Sequence, residues 1–214
     1  MPLENKRGRD RKMLQVLDAN LKELASFNSR NDSDFRGLKQ ALFFAGNPYE
    51  VDGNIFYKEP LIDTIYKVNE DKLIPHWVVT SKGYKMDMRD ALTLKKSPGA
   101  SDKMTTPGIK ETKTRFYINY FYKNAKYHSV FDKVLNSFVF HKKYTQDDFE
   151  KSQGKLSFGF TNDVIEKAPN FWPSFIGKNI IVSATLPVTL NQEQLDSFNV
   201  KEDDNPILFI AEFK

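Results

Sequence analysis

Residues 54–79 read NIFYKEPLIDTIYKVNEDKLIPHWVV, and their pattern decides the fold. From Asp63 to Val68 the side chains alternate in a period of two; Asn69-Glu70-Asp71 then supplies a polar turn, and Leu73–Thr80 runs back. Just upstream, Asp52-Gly53-Asn54 forms a turn between Tyr49–Val51 and Ile55–Lys58. Alternation places every second side chain on one face of a pleated strand. Asn, Asp and Gly tolerate the backbone reversals that join such strands. Short alternating runs separated by tight polar turns therefore predict an antiparallel sheet.

Working outward, the same grammar continues. Gln40–Ala45 is apolar and is broken by Gly46-Asn47-Pro48. Thr114–Tyr122 (TRFYINYFY) predicts a strand with Phe116, Ile118 and Tyr120 on one face, followed by strands at Tyr127–Phe131 and Phe138–His141. Thr145–Gly154 is a polar link with room for a helical turn, where Asp147 and Asp148 suit a helix start. Further strands are expected at Lys155–Phe160, Asn179–Thr185 and Pro206–Phe213, with a short helix at Asn191–Ser197 that Asn191 would cap. Lys85–Lys113 is polar, contains Pro98-Gly99 and Pro107-Gly108, and reads as a long connection.

Lys12–Phe27 (KMLQVLDANLKELASF) carries two patterns at once. Leu14, Leu17, Leu21 and Leu24 fall at helical spacing, whereas Asp18-Ala19-Asn20 would turn a hairpin between Met13–Leu17 and Leu21–Phe27. The strands that follow favour the hairpin. About ten to twelve short strands, recurring in groups of roughly 45 residues, predict an all-β chain. The architecture expected is a partial or shortened β-propeller of antiparallel blades over residues 12–214, with one short helix near 191–197. Residues 1–11 are expected to be a disordered basic segment.

Composition agrees with a soluble globular chain: 40% apolar and 28% charged residues, with aromatics raised to 14% by 18 Phe and 9 Tyr. The net charge is +4. Its one basic cluster, Lys6, Arg7, Arg9, Arg11 and Lys12, is diluted by Glu4 and Asp10 and reads as a solvated segment. No nucleic-acid partner is expected. With no cysteine, the chain has no disulfide, no thiolate metal site, no cysteine nucleophile and no cysteine-borne lipid anchor. No run approaches the roughly 18 apolar residues of a membrane span. The opening Met-Pro-Leu-Glu-Asn-Lys-Arg lacks an export signal's apolar core, so the chain as written is expected to stay where it is made.

The stretch Asn54–Val79 resembles a blade of the six-bladed β-propeller lipoproteins of Bacteroidetes, in which a Thr-Ile-Tyr strand, an acidic turn and a Leu-x-Pro return recur. The likeness continues, in order, at Thr161-Asn162-Asp163, at Asn170-Phe171-Trp172-Pro173 and at Asp203–Lys214 (DDNPILFIAEFK). It implies a binding or scaffolding module of the bacterial cell envelope, placed in the periplasm or on the outer-membrane surface. Such proteins usually carry a signal and a lipid-modified cysteine and are longer. The chain is therefore expected to match their C-terminal portion or a shortened relative. Open sheet edges in such a fragment would invite self-association.

Candidate ligand-binding residues are Asn162, Asp163, Phe171 and Trp172. The short polar pair could offer oxygens to a sugar or cation, or simply shape an Asx-turn. Phe171 and Trp172 could form a stacking platform for a glycan, or pack between blades. The expected ligand is a protein or a glycan, with no cofactor. His76, His128 and His141 show no metal-type spacing, and His76, between Pro75 and Trp77 in a strand, is read as structural. Phe116, Tyr117, Tyr120, Phe121 and Tyr122, beside Arg115 and Lys123, could stack on single-stranded nucleic acid but read as a core strand. The rival to a binding module is a metal-assisted hydrolase or lyase on a propeller, which would need carboxylates and histidines converging on a channel.

Overall fold

The computed structural model describes residues 12–29, 47–85, 102–105, 108–152, 155, 157–177 and 180–212. The chain divides into two compact units, residues 1–95 and 96–214. The basic segment 1–11, the apolar run Gln40–Ala45 and the middle of the polar connection lie outside the described residues.

In the first unit, β1 (Lys12–Leu17) and β2 (Glu23–Asn28) form an antiparallel hairpin, so the helical spacing of the leucines does not prevail. Asp18 decides this locally: its carboxylate accepts the backbone N–H groups of Asn20 and Lys22, and Leu21 takes a positive φ. Next comes a four-stranded antiparallel meander: β3 (Asn47–Val51), β4 (Asn54–Lys58), β5 (Thr64–Asn69) and β6 (Lys72–Val78), in that order across the sheet. The Asp52-Gly53 loop has positive φ at both residues, as a two-residue hairpin loop with primed-turn twist requires. Phe56, Tyr57, Leu61, Ile65 and Tyr66 are buried. Tyr57 donates its hydroxyl to the Met13 carbonyl at 3.3 Å, tying the meander to the hairpin. Buried Lys58 is held by the Ile62 carbonyl at 3.1 Å, and loss of water pulls its pKa down to about 8.

The second unit holds another four-stranded meander: β7 (Gly108–Glu111), β8 (Arg115–Tyr122), β9 (Ala125–Asp132) and β10 (Ser137–Tyr144). Strand β7 corrects the sequence expectation of an unbroken connection to Lys113. Ile109 is its only large aliphatic side chain, so the signal was too short to see, yet the strand pairs with β8 along its whole length. Strand β8 is buried on both faces at Phe116, Tyr117 and Ile118, where one core face was expected. Helix α1 (Gln146–Lys151) begins with a capping box between Thr145 and Asp148. The Thr145 N–H and hydroxyl hold the Asp148 carboxyl below its usual range, so Asp148 serves as a cap.

A three-stranded antiparallel sheet closes the unit: β11 (Phe175–Ile176), β12 (Ile180–Thr185) and β13 (Ile207–Glu212). Helix α2 (Gln192–Phe198) lies between the last two strands, capped by Asn191 with Gln194 completing the box. Tyr117, Val130 and Ile181 form the buried centre, with Phe140, Phe160, Phe171, Trp172 and Ile176 packed around it. Two four-stranded meanders, a hairpin and a three-stranded sheet make an all-β, propeller-like fold. Among the described residues, no helix is long and apolar enough to cross a membrane.

Candidate functional site

Where a strand was expected over Lys155–Phe160, the described residues 157–160 instead form the stem of a loop. Among the described residues of this stretch only Phe160 pairs, in an isolated antiparallel bridge with Phe171: each backbone N–H reaches the other's carbonyl, at 3.0 and 2.8 Å. The physical cause is Gly159, whose φ of +104° is closed to most side chains. Its backbone finds a partner in a side chain rather than a ladder. The Tyr144 hydroxyl accepts the Gly159 N–H at 2.7 Å and donates to the Gly159 carbonyl at 3.0 Å. Below the bridge, Asn170 donates to the Ser157 carbonyl at 2.9 Å.

The bridge closes loop 161–170. Asn162 Oδ1 accepts the N–H groups of Val164 and Ile165 at 3.2 and 3.0 Å, which is an Asx-turn. Asp163 is exposed. The turn pushes Val164 into solvent, 88% exposed, with Ile165 beside it also exposed. The far arm of the loop is held by α2: Gln194 donates to the Lys167 carbonyl at 3.1 Å, and Lys167 pairs with Glu193 at 3.3 Å.

Phe171 and Trp172 follow this loop and pack against the core. Phe171 stacks on Phe160, with centroids 6.2 Å apart and planes at 19°. Trp172 lies on the His128 ring at 4.1 Å and meets the Tyr117 ring edge-on at 5.9 Å. The four predicted residues therefore separate into two pairs. Asn162 and Asp163 belong to the loop, and Phe171 and Trp172 to the aromatic base at its foot, after the Phe160–Phe171 bridge.

Sequence reasoning gave no part in this base to three residues that build it. His128 is only 2% exposed, and its Nδ1 has no hydrogen-bond partner among the described residues. Burial, helped by the positive charge of Lys126, pulls its pKa down to about 3, so the ring is neutral. Tyr144 and Gly159 form the clasp. A histidine inside an aromatic strand and a glycine before Phe160 are faint signals, but their coincidence with Phe158, Phe160 and Trp172 could have marked an aromatic box. Lys126 caps it, with Nζ 3.7 Å above the Phe158 ring, and burial lowers the Lys126 pKa. The expected aromatic strand stacks inward and along the sheet: the Tyr120 ring lies on Tyr127 at 5.0 Å, and Tyr127 on His141 at 5.5 Å. Among the described residues, no three His, Asp or Glu side chains come together as a group able to hold a metal ion.

Comparison with known proteins agrees with this architecture. A family model described as "6-bladed beta-propeller" matches residues 5–166, more than half of the chain. The crystal structure of a Bacteroides fragilis NCTC 9343 protein, whose name describes it as exported, superposes with a TM-score of 0.54 at 18% identity. That match covers 94% of this chain and 57% of the other, so the chain spans little more than half of the solved protein's length. Among curated proteins none matches. The meanders, the aromatic packing and the matched residues lead to one statement of kinship: the chain belongs to the six-bladed β-propeller family.

Proposed function

We propose that the chain is a non-catalytic binding module of the bacterial cell envelope, acting in the periplasm or at the outer-membrane surface, and that loop 161–170 is its contact surface. The observation that carries this reading is the contrast between loop and base. Val164 and Ile165 are apolar and exposed at the tip, yet the Asx-turn of Asn162, the Phe160–Phe171 bridge and the α2 contacts fix the backbone that presents them. Exposed apolar side chains on a fixed loop favour protein contact, because the ordering entropy of the loop is spent before binding. Asp163 and Lys167 beside the tip provide a polar rim. Location outside the cytoplasm is supported by the resemblance to envelope lipoproteins and by the exported neighbour.

A protein ligand fits better than a glycan. Stacking on a sugar needs an open aromatic face, and Trp172 has His128 against one face and Tyr117 at its edge. The test is retention of a defined component of envelope extract by the immobilised chain and by a Val164→Asp/Ile165→Asp variant. The expected result is retention by the first and loss by the second, at equal melting temperature. Equal retention by both would overturn the assignment of the loop.

A further inference from the structure

Strand β9 ends at Asp132, and the turn from there to β10 is built like loop 161–170. Asp132 Oδ1 accepts the backbone N–H groups of Val134 and Leu135 at 2.9 and 3.0 Å, as Asn162 Oδ1 accepts those of Val164 and Ile165. Each Asx-turn fixes a backbone that presents two adjacent aliphatic side chains. Val134 and Leu135 are 78% and 66% exposed. The two tips also lie toward one end of the β7–β10 meander. Phe158 meets Tyr144 at 5.0 Å and Phe160 meets Phe140 at 5.1 Å, so the loop stem runs back along β10 toward the turn at Asp132. Sheets pack on one another through their faces, and a turn beyond the strand ends is not covered by that packing.

The charges around the tips decide what kind of molecule fits them. Arg115 reaches Asp132 at 3.4 Å, Lys133 is tied to Glu111 and to the Thr112 carbonyl, and Lys167 pairs with Glu193 at 3.3 Å. These cations beside the tips already have carboxylate partners within the chain. Asp163 and Glu166, flanking Val164 and Ile165, are exposed carboxylates. An anionic bilayer or a nucleic acid therefore meets matched cations and two repelling carboxylates, whereas an uncharged apolar protein surface meets four aliphatic side chains with charge only at their margin. We propose that the turn 132–135 and loop 161–170 are two halves of one contact surface, occupied by the uncharged apolar face of a single protein partner that spans both tips. The proposal rests on the reading of loop 161–170 as a contact surface. It adds the second half of that surface and the chemistry of the partner.

Photo-crosslinking from each tip is the test. The chain has no cysteine, so a single introduced thiol places the probe unambiguously. Benzophenone carried by Val134→Cys and, in a separate chain, by Val164→Cys is exposed to envelope extract, and each adduct is identified by mass spectrometry. Both should contain the same protein. With that protein purified, Val134→Asp/Leu135→Asp should weaken its binding on the order of a hundredfold at unchanged melting temperature, since two apolar contacts are lost. Raising the salt concentration should change the affinity by less than about threefold. The crosslinking arm uses one exposed substitution at a time and decides if the aspartate variant fails to fold. An adduct from Val164→Cys without one from Val134→Cys would overturn the two-part surface and leave the loop as a site by itself. Adducts from neither position, or from Val134→Cys alone, would overturn both readings. Different proteins at the two tips, a second copy of the chain in the adducts, labelling of lipid, or an affinity that falls steeply with salt would overturn the partner assigned here.

Discussion

The His128 imidazole lies nearly flat on the Trp172 indole, with centroids 4.1 Å apart and planes at 24°. A strand of the β7–β10 meander is thereby joined to the chain just after the loop stem. Because His128 is buried and neutral, this contact makes stability depend on pH. The folded-state pKa is depressed, to about 3 against an ordinary value of 6.5. Protons therefore bind the unfolded chain first. The stabilisation is complete above pH 6.5 and is lost as pH falls toward 3, at up to about 1.4 kcal/mol per pH unit. Urea denaturation at pH 7.0 and 5.0 should show the loss, and His128→Phe should flatten it. An equal loss in the variant would assign the pH dependence to other groups.

Gly159→Ala should be strongly destabilising. The residue sits at a φ of +104°, and an added Cβ would lie 2.0 Å from the Phe171 carbonyl oxygen. That oxygen belongs to backbone and cannot swing away. Strain and clash together should cost more than about 2 kcal/mol, read as a drop in melting temperature. By contrast, nothing lies within 4 Å of a Cβ added at Gly53, so Gly53→Ala pays only for its positive φ and should cost less.

Tyr144→Phe removes one hydroxyl and strands two backbone groups of Gly159. Leaving buried polar groups unpaired costs about 1–3 kcal/mol, more than the hydrogen bonds contribute on balance. The amides of Gly159 and Phe160 should exchange with deuterium faster in the variant, while those of β5 stay as they were.

Trp172→Ala should destabilise by about 3 kcal/mol through the cavity it leaves among Tyr117, His128 and Phe160. A chemical-denaturation series measures it. A cost under about 1 kcal/mol would mean that Trp172 is not a structural element of the base.

Most of the fold was legible because alternation and turn chemistry are local. Asp52-Gly53, the paired runs around Asn69 and the Asn191 cap each decide their own few residues, and the structure follows them. Strand β7 and the stem at 157–160 were not legible, for opposite reasons. Gly108–Glu111 is a strand only because β8 offers it a ladder, whereas Lys155–Phe160 reads as a strand in sequence but Gly159 and the Tyr144 hydroxyl divert the backbone at 157–160. At the candidate site, the sequence pointed to Asn162 and Trp172 and offered an Asx-turn and packing as readings, but it could not choose these over ligand contact. Whether an aromatic side chain faces solvent depends on a partner such as His128, which stands 44 residues upstream of Trp172.

The most direct test of the account is photo-crosslinking from the loop tip. A Val164→Cys chain carrying a benzophenone should form a discrete adduct with one envelope protein, and a matched probe at Leu21, exposed on the hairpin far along the sequence, should not. Adduct formation should fall when Asn162→Ala releases the Asx-turn. Adducts formed equally from both positions, or unaffected by Asn162→Ala, would contradict the claim that loop 161–170 is a fixed binding surface.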